Sequence, residues 1–488
     1  MLATDEEIKK RDNWGPAALG QVREARRQHQ QTTAEKRSKY IRANEYFYDR
    51  IKRLLQFIVA PNSRVLEVRC ENGQFLASVC PCYGVGVEIS DAMVAAAQAE
   101  NPHLQFLRSD PESLSLHEQF DYILFDHIFD TVDILAALER IRAHCSEETR
   151  LVIINYNHLW QPLLELATKL GLRSKFVEPN WVSENDIRGF LRMAGFRLVR
   201  KHRLLLFPKY VPALSAFLND FLARLPGLRR LCLMQVMVAR PIPKAIKEED
   251  VTVSVIVPCR NEAANIQPAV ERIPAMGQCT EILFCDDRST DDTASEVRRM
   301  QALYPEKEIR LVDGPGICKA ENVWTGFRAA RGDVLMILDA EHAVMPEELP
   351  AFFRALVHGN GSFINGSRLV YPMQQYAMKT ANLVGNKFFG LIFSFLLDQR
   401  IKDTLCGTKV LWRKDWLHLE PSLGTWGIKD LWGDYELLFG ASKLHLEIVE
   451  VPVHYQERIH GVTKMTKVVS NGLRMLNICR HAWFRLGG

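Results

Sequence analysis

Two carboxylates stand where an apolar stretch of the chain ends. Asp339 and Glu341 follow the run from Asp333 to Leu338, whose composition is typical of a buried strand. Carboxylates in this arrangement at the carboxyl end of a strand can hold Mg²⁺ or Mn²⁺ against a diphosphate. We therefore predict a divalent-metal site at Asp339 and Glu341, with a solvated strand terminus as the structural alternative for Asp339.

Polar side chains also follow two earlier apolar runs. Asn261 and Glu262 come after the run VTVSVIVP, and Asp286 and Asp287 end the run EILFCDD. An aspartate at a strand end can accept an N–H from the edge of a base, although an Asp-Asp-x-Ser turn is often only a helix cap. Ligands bind outside the carboxyl ends of parallel strands, so polar residues at successive strand ends predict a nucleotide site.

These motifs resemble a known family. Pro-x-x-Asn-Glu, Asp-Asp-x-Ser-Thr-Asp and Asp-x-Asp/Glu occur in this order, and residues 251 to about 465 resemble glycosyltransferase family 2 with its GT-A fold. Within that family the chain is most similar to polyprenyl-phosphate (dolichyl-phosphate-type) mannosyl- or glucosyltransferases. The resemblance implies nucleotide contacts from Pro258, Asn261, Glu262, Asp286 and Asp287, metal ligands at Asp339 and Glu341, and phosphate contacts from Arg368, Arg458 and Lys464.

The metal motif departs from the pattern of those synthases. It reads Asp-Ala-Glu-His-Ala, where Asp-Ala-Asp-x-Gln is common, so Glu341 is one methylene longer and Ala343 cannot ligate. We expect looser metal binding, or a coordination shell completed by His342 or by diphosphate oxygens.

The resemblance implies an inverting displacement at the anomeric carbon of a UDP- or GDP-hexose, and no residue separates the two nucleotides. The metal, with Arg458 or Lys464, would stabilise the leaving nucleoside diphosphate. A lipid phosphate acceptor needs little general base, because the second pKa of a phosphate monoester is about 6. A hydroxyl acceptor would need a base at Asp434 or Glu436, a pair that also suits a helix N-terminus.

A second set of residues lies in the first half of the chain. Glu67 and Gly73 bound a turn between a strand and a helix, and Glu88 ends the next strand, where an acid would accept hydrogen bonds from ribose hydroxyls. Residues 40–240 resemble class I S-adenosylmethionine-dependent methyltransferases. The resemblance implies that Glu67 lies near the amino acid end of the cofactor, Gly73 at the loop, Glu88 at the ribose and Asp110 near the adenine.

The loop departs from that family at two positions. Arg69 and Glu71 stand where the family has glycines, so we expect a crowded cofactor pocket and a strained backbone if either position needs φ > 0. Two alternatives follow: an active methyltransferase, or a fold retained without its cofactor.

The 488 residues are sufficient for two or three folding units. Apolar runs alternate with helical patterns in both halves, which predicts two tandem Rossmann-like α/β domains. We predict a polar N-terminal arm at 1–40, either a solvated helix or a loose segment, a methyltransferase-like domain at 41–238, a linker at 239–250, a glycosyltransferase domain at 251–463 and an amphipathic helix at 464–488.

Charge and cysteine content limit the partners. A net charge of +4 gives no basis for nucleic-acid binding, and 11 unevenly spaced cysteines suit reduced thiols in the cytoplasm. We found no secretory signal and no run of about 18 apolar residues, so we expect no membrane span. The segments 377–403 and 464–486 are apolar and basic, which predicts peripheral contact with the cytoplasmic membrane face; packing onto the catalytic domain is the alternative.

The combined interpretation is a metal-dependent hexosyltransferase that acts on a polyprenyl phosphate. One alternative is a bifunctional methyltransferase and glycosyltransferase that tailors a soluble metabolite or a surface polysaccharide. A binding or scaffold role for the first half is a further alternative for that half alone.

Overall fold

The computed structural model describes residues 16–170, 177, 179–372, 380–425, 430–456 and 468–486. The chain divides into two compact units between Ile242 and Pro243. Each unit is an α/β domain built on a seven-stranded, mainly parallel sheet, which confirms the predicted fold class of two tandem Rossmann-like domains.

The sheet of the first unit has the strand order β3-β2-β1-β4-β5-β7-β6. Its strands are β1 Arg64–Val68, β2 Tyr83–Glu88, β3 Gln105–Arg108, β4 Phe120–Phe125, β5 Cys145–Tyr156, β6 Phe196–Leu204 and β7 Met234–Pro241. The first five strands pair in parallel, and β7 is antiparallel to both β5 and β6. The carboxyl ends of β1, β2 and β4 therefore meet at one edge of the sheet. In open α/β sheets, ligands generally bind at this edge.

Helices cover both faces of this sheet and bury two apolar layers against it. They are α1 Pro16–Ala43, α2 Glu45–Ile58, α3 Gln74–Ser78, α4 Asp91–Glu100, α5 Ile134–Ala143, α6 Gln161–Lys169 and α7 Glu184–Met193. Local caps begin several of them: Ser90 accepts a hydrogen bond from the N–H of Met93 at α4, and Ser183 forms a capping box with Asp186 at α7. Short helical turns fill residues 214–231 before β7.

Helix α1 differs from the solvated or loose arm that its polar composition predicts. The expectation is wrong for the side chains of Arg26, Gln30 and Arg37, which are buried against the first unit. Their partners are acidic groups of the strand-end loops, so the helix docks through charged side chains in addition to the buried Ala34 and Ile41. The predicted linker is also shorter than its sequence range, because β7 continues to Pro241.

The sheet of the second unit has the order β10-β9-β8-β11-β13-β12-β14. Its strands are β8 Thr252–Cys259, β9 Cys279–Asp286, β10 Glu308–Asp313, β11 Val334–Ile337, β12 Phe363–Ser367, β13 Lys409–Trp412 and β14 Ile448–Pro452. Strands β10, β9, β8 and β11 pair in parallel, and β13 is antiparallel to β11 and β12. The strand ends that precede Asn261, Asp287 and Asp339 consequently share one edge of the sheet.

The helices of the second unit are α8 Ala263–Arg272, α9 Thr293–Leu303, α10 Lys319–Ala329, α11 Leu349–Val357, α12 Thr380–Leu397, α13 Arg413–Leu419, α14 Asp434–Lys443 and α15 Val468–Leu486. Helices α12 and α15 contact each other and add Phe389, Phe393, Met475 and Ile478 to one apolar layer of the core. In the described part of the chain, no helix has the length and hydropathy needed to cross a bilayer.

Candidate functional site

Loops after β8 and β9 are held together by side-chain amides and hydroxyls. The Oδ1 atom of Asn261 accepts from the backbone N–H of Thr290 at 2.8 Å, and the N–H of Asn261 donates to the Oγ of Ser289 at the same distance. Asn261 has φ = +56°, a left-handed conformation that asparagine tolerates better than most residues. The structure thus brings the first predicted nucleotide residue against the second strand-end loop.

The two aspartates after β9 are oriented by backbone donors. Asp286 Oδ1 accepts from the N–H of Ser289 at 3.1 Å, and Asp287 Oδ1 accepts from the N–H of Gly316 at 2.6 Å. Asp287 is buried, and its second oxygen lies 3.9 Å from Nη1 of Arg260. The carboxylates are therefore fixed in position before any ligand binds.

Glu262 and Pro258 lie at the same edge. The N–H of Glu262 donates to the Oγ1 of Thr293 at 2.9 Å, and its Oε2 accepts from the side-chain amide of Asn265 at 2.7 Å. Pro258 is half-buried near the end of β8. All five residues predicted to contact a nucleotide consequently lie on one rim, and their contacts with a nucleotide remain a prediction.

The acidic pair after β11 has a partner that the sequence reasoning missed. The Nζ of Lys319, the first residue of α10, lies 2.5 Å from Asp339 Oδ1. Desolvation acts to lower the pKa of Lys319, but the carboxylates of Asp339, Asp434 and Glu341 outweigh it and raise that pKa. The ammonium group is thus a fixed positive charge at the acidic pair. A lysine beside a glycine turn is common, so the sequence alone does not identify it.

Asp339 and Glu341 offer the hard oxygen ligands that Mg²⁺ or Mn²⁺ prefers. Among the described residues, this pair belongs to no cluster of three or more potential metal-ligating side chains. His342 is buried with φ = +51°, and burial, then the charge of Arg272, lowers its pKa to about 4. The donor set therefore fits a cation that also binds diphosphate oxygens or water, and a role for His342 in the coordination shell remains untested.

The loop at residues 403–408, which follows α12 and precedes β13, reaches the acidic pair at Gly407. A Cβ at this position would collide with the Asp339 carboxylate, so only glycine lets the loop come this close. The loop is anchored at its start by Asp403, which is fully buried.

Arg368 binds Asp403 in a two-pronged ion pair. Its Nε and Nη2 lie 2.7 and 2.8 Å from the two carboxylate oxygens, and the side chain of Asn386 donates to Asp403 Oδ1 at 2.7 Å. Burial acts to raise the pKa of Asp403, but Arg368 and Asn386 lower it to about 2. The guanidinium of Arg368 is thus engaged by Asp403, so its predicted contact with a phosphate stays a prediction. Arg458 and Lys464 lie outside the described residues.

The two candidate general bases at the start of α14 have internal partners. Asp434 forms an ion pair with the fully buried Lys409, and Glu436 Oε1 accepts from the N–H of Gly424 at 2.9 Å. Asp430 accepts from the N–H of Tyr435 at 2.8 Å and so caps the helix. The arrangement suits the helix-terminus alternative, and a catalytic role for Asp434 or Glu436 remains untested.

In the first unit, the residues carried over from the methyltransferase pattern lie at strand ends and in the loops that follow them, and their contacts with a cofactor remain a prediction. Gly73 begins α3 with φ = +74°, and Glu67 accepts from the N–H of Leu76 at 2.9 Å. Glu88 is fully buried at the end of β2 and accepts from the N–H of Glu71 at 3.1 Å. Asp110 follows β3, where it accepts from the N–H of Glu112 at 3.1 Å.

The substituted loop keeps a glycine-like backbone. Arg69 has φ = +65° and Glu71 has φ = +48°, so both positions adopt the left-handed conformation that glycine favours. Arg69 pairs with Asp130 and Glu88, and Glu71 pairs with Arg37 of α1. Because side chains of the chain itself occupy this strand edge, the residues present do not fit S-adenosylmethionine.

The two units of the chain match the models of two different families. Residues 254–417 match the model of glycosyl transferase family 2, and residues 35–201 match a methyltransferase domain. The second unit therefore contains a domain that matches glycosyl transferase family 2, and the first unit contains a methyltransferase-like domain.

Two curated relatives are similar to part of the chain. It is 28% identical over 267 residues to a dolichyl-phosphate beta-glucosyltransferase of Trichomonas vaginalis, covering 51% of this chain and 76% of the relative. It is 37% identical over 225 residues to a dolichol-phosphate mannosyltransferase of Pyrococcus furiosus, covering 44% of this chain and 59% of the relative.

A solved S-adenosylmethionine-dependent methyltransferase of Thermotoga maritima is also similar, at 15% identity and a TM-score of 0.36. The match covers 44% of this chain and 98% of that one.

Proposed function

We propose that the chain is an inverting, metal-dependent hexosyltransferase that moves a hexose from UDP or GDP to a polyprenyl-phosphate-type lipid at the cytoplasmic face of a membrane. The observation that carries the proposal is the shared strand edge: Asp339 and Glu341 lie beside the rim formed by Asn261, Asp286 and Asp287. The names of both relatives contain dolichyl phosphate or dolichol phosphate. We take the class of the proposed acceptor from these names.

The charges at this edge suit departure of a nucleoside diphosphate. A divalent cation held by Asp339 and Glu341 would neutralise the diphosphate as the bond to the sugar breaks. Lys319 places a second positive charge at the same carboxylates, where it would add to the stabilisation of a departing diphosphate. Preorganised charges of this kind stabilise the transition state more than the bound substrate.

The burial and the internal partners of Asp434 and Glu436 favour a phosphate acceptor over a hydroxyl acceptor. Both side chains are buried and have internal partners, Lys409 for Asp434 and the backbone of Gly424 for Glu436. A hydroxyl acceptor needs a base that can take its proton, whereas a phosphate monoester is already ionised near neutral pH. The lipid phosphate thus matches a site whose carboxylates are committed elsewhere.

Helices α12 and α15 present an apolar outer surface that suits a membrane interface. Its members are Val384, Phe388, Leu391, Leu473 and Phe484, all well exposed. Exposed basic residues accompany them: Lys387, Arg400, Lys402, Arg474, Arg480 and Arg485. Basic amphipathic helices bind anionic bilayer surfaces in this way.

Helix α12 is linked by hydrogen bonds and loop contacts to the strand edge that bears Asp339. Asn386 of α12 donates to Asp403, and the loop that Asp403 begins reaches Asp339 through Gly407. A lipid headgroup that enters beside α12 would therefore approach the loop that contacts the acidic pair.

We expect Leu391→Glu to weaken binding to vesicles of phosphatidylglycerol and phosphatidylcholine by at least about tenfold, because burial of one leucine contributes about 1.5–3 kcal/mol. Sedimentation with vesicles measures the effect. Leu163→Glu is the matched control, since Leu163 is also an exposed helical leucine, at 58% against 74% for Leu391. Equal loss in both variants would contradict the assignment of the surface.

The test of the function is transfer itself. The full chain is incubated with Mn²⁺, labelled UDP-glucose or GDP-mannose, and a short polyprenyl phosphate, and label is counted in the organic phase. Label in the lipid supports the proposal and identifies the donor. Release of free sugar without lipid product would contradict the acceptor, and recovery of both sugar nucleotides intact would contradict the proposed donors.

A further inference from the structure

Six charged side chains meet at the carboxyl edge of the first sheet. They are Arg26, Arg37, Arg69, Glu71, Glu88 and Asp130, which we call the charge cluster, and each is at most 8% exposed. The cluster contains equal numbers of guanidinium and carboxylate groups, so its formal charge is balanced. Buried ions require such partners, because an unpaired charge away from water is strongly destabilising.

Specific contacts join the cluster. Arg69 Nη2 binds Asp130, and its Nη1 lies 3.8 Å from Glu88 Oε1. Arg37 Nε donates to Glu71 Oε2 at 2.8 Å, and Arg26 Nε lies 3.4 Å from Asp130 Oδ1. The positive members come from both α1 and the strand-end loop, whereas the negative members all belong to strand ends and loops.

Helix α1 presents one face to this edge. Arg26, Gln30 and Arg37 are four and seven residues apart, a spacing that places them on the same side of a helix. In the amide orientation that satisfies both partners, Gln30 donates to Glu88 and accepts from Arg69, each at 2.7 Å. Arg37 also donates to the Tyr48 hydroxyl at 3.0 Å, which ties the helix to α2.

The groups that would meet a dinucleotide-like ligand are closed off by these contacts. The acid at the end of the second strand of such a fold ordinarily accepts ribose hydroxyls, but Glu88 is fully buried beneath Arg69 and Gln30. A cavity of about 300 Å³ does lie beside α1, and its lining includes four members of the charge cluster: Arg26, Arg37, Glu71 and Asp130. Glu67 and Glu88 are not among the described residues that line it.

We infer that the first unit is self-liganded: the charge cluster, with α1 as its clamp, occupies the strand edge that the fold family uses for S-adenosylmethionine. The unit keeps the left-handed loop at Arg69 and Glu71, because ion pairs of the new side chains offset the backbone strain there. Its role is that of a folded module without cofactor chemistry.

A metal ion is the alternative occupant of this edge. Ligand atoms of Glu71, Asp126 and His127 all lie within 4.8 Å of one another. Arg37, however, already donates two hydrogen bonds to Glu71, so its guanidinium supplies the positive charge that a cation would bring. We therefore expect α1 to dock equally well with and without divalent metal.

The first experiment is calorimetric titration of the full chain with S-adenosylmethionine. We expect no binding up to about 1 mM ligand, a concentration at which a ligand with an affinity of about −4 kcal/mol would half-saturate its site. Micromolar binding would overturn the inference directly, and so would binding accompanied by release of α1.

The second experiment measures hydrogen exchange in peptides from residues 16–43 of the full chain. Arg37→Met and Glu71→Gln each break a buried pair, so we expect exchange of these amides to rise by at least about tenfold. In the double variant, the rate of exchange in residues 16–43 should not exceed the rate in the more severe single variant, because the two side chains act as a pair. Peptides from β1 and β4 report whether the unit is still folded.

Arg108→Met is the matched control, because Arg108 pairs with Asp91 on an exposed surface, at 54% and 57% side-chain exposure. We expect little change in this variant. Unchanged protection of α1 in Arg37→Met and Glu71→Gln would overturn the clamp. Loss of α1 protection after treatment with EDTA would overturn it as well, and would assign the edge to a metal instead.

Discussion

The Asp339→Asn variant is expected to lose sugar transfer by about 10²–10³-fold or more while its fold is retained. Asparagine keeps the size of the side chain but removes the charge that holds both Lys319 and the proposed cation. Losses of this size are typical when one preorganised charged or hydrogen-bonding group is taken from a transition-state site. Initial rates of label transfer, with thermal unfolding measured in parallel, test the prediction.

Asp333→Asn provides the control for this change, because Asp333 immediately precedes β11 and Asp339 follows its other end. The Asp333 carboxylate accepts from the N–H of Thr252 at 3.0 Å, a role that an asparagine oxygen can keep. Near-normal transfer is expected from the control. Full activity of Asp339→Asn would show that the acidic pair does not hold the metal, and an equal loss in both variants would point to the strand instead of the site.

Residue patterns predicted the frame of the molecule because that frame depends on local composition. The runs at β8, β9 and β11 are largely apolar, and polar residues at their ends mark the common edge. Lys319 joins this edge from the start of α10, and no local pattern shows that its ammonium reaches Asp339. Contacts between residues distant in sequence are decided by tertiary packing, which composition does not encode.

For helix α1, the sequence led to a wrong prediction of solvent exposure. Its charged residues predicted a solvated surface, since charged side chains are seldom buried without partners. The partners are present, but they lie at Glu71, Glu88 and Asp130, far along the chain. The substitutions at Arg69 and Glu71 were recognised from the sequence, whereas the three side chains of α1 that complement them were not.

The acidic residues at the carboxyl edge of the sheet have different surroundings in the two units. In the second unit, carboxylates such as Asp339 and Glu341 remain partly exposed at their edge, where a ligand can reach them. In the first unit, the acids at the corresponding edge are sealed by arginines of the same chain. Similar topology thus carries the proposed catalytic site in one case and an internal ion-pair network in the other, since the difference is made by side chains and not by the fold.

The Asp403→Asn variant is expected to destabilise the second unit by about 3–5 kcal/mol. The substitution leaves the guanidinium of Arg368 buried without its carboxylate, and loss of one partner of a buried pair is more harmful than loss of both. Hydrogen exchange of β12 peptides measures the change within this unit, and Asp313→Asn, at an exposed carboxylate of the same sheet, is the control.

The pH dependence of this variant has a definite sign. The pKa of Asp403 is lowered in the folded state, to about 2, from about 3.9 in an unfolded chain. Its contribution is therefore complete above about pH 5 and is lost as pH falls towards 2, by about 2–3 kcal/mol in total. The stability gap between the parent and Asp403→Asn should narrow over that range, because protonated Asp403 resembles asparagine.

The double variant Arg368→Met/Asp403→Leu separates the pair from the loop that it anchors. Apolar replacement of both partners should recover much of the stability lost in Asp403→Asn, since no buried charge remains unpaired. Transfer should stay impaired, because Asn386 loses the carboxylate to which it donates and the loop that bears Gly407 loses its fixed approach to Asp339. Recovery of transfer together with stability would show that the ion pair acts only on folding, and continued instability would assign the lost stability to the loop contacts of Asp403 instead of its charge.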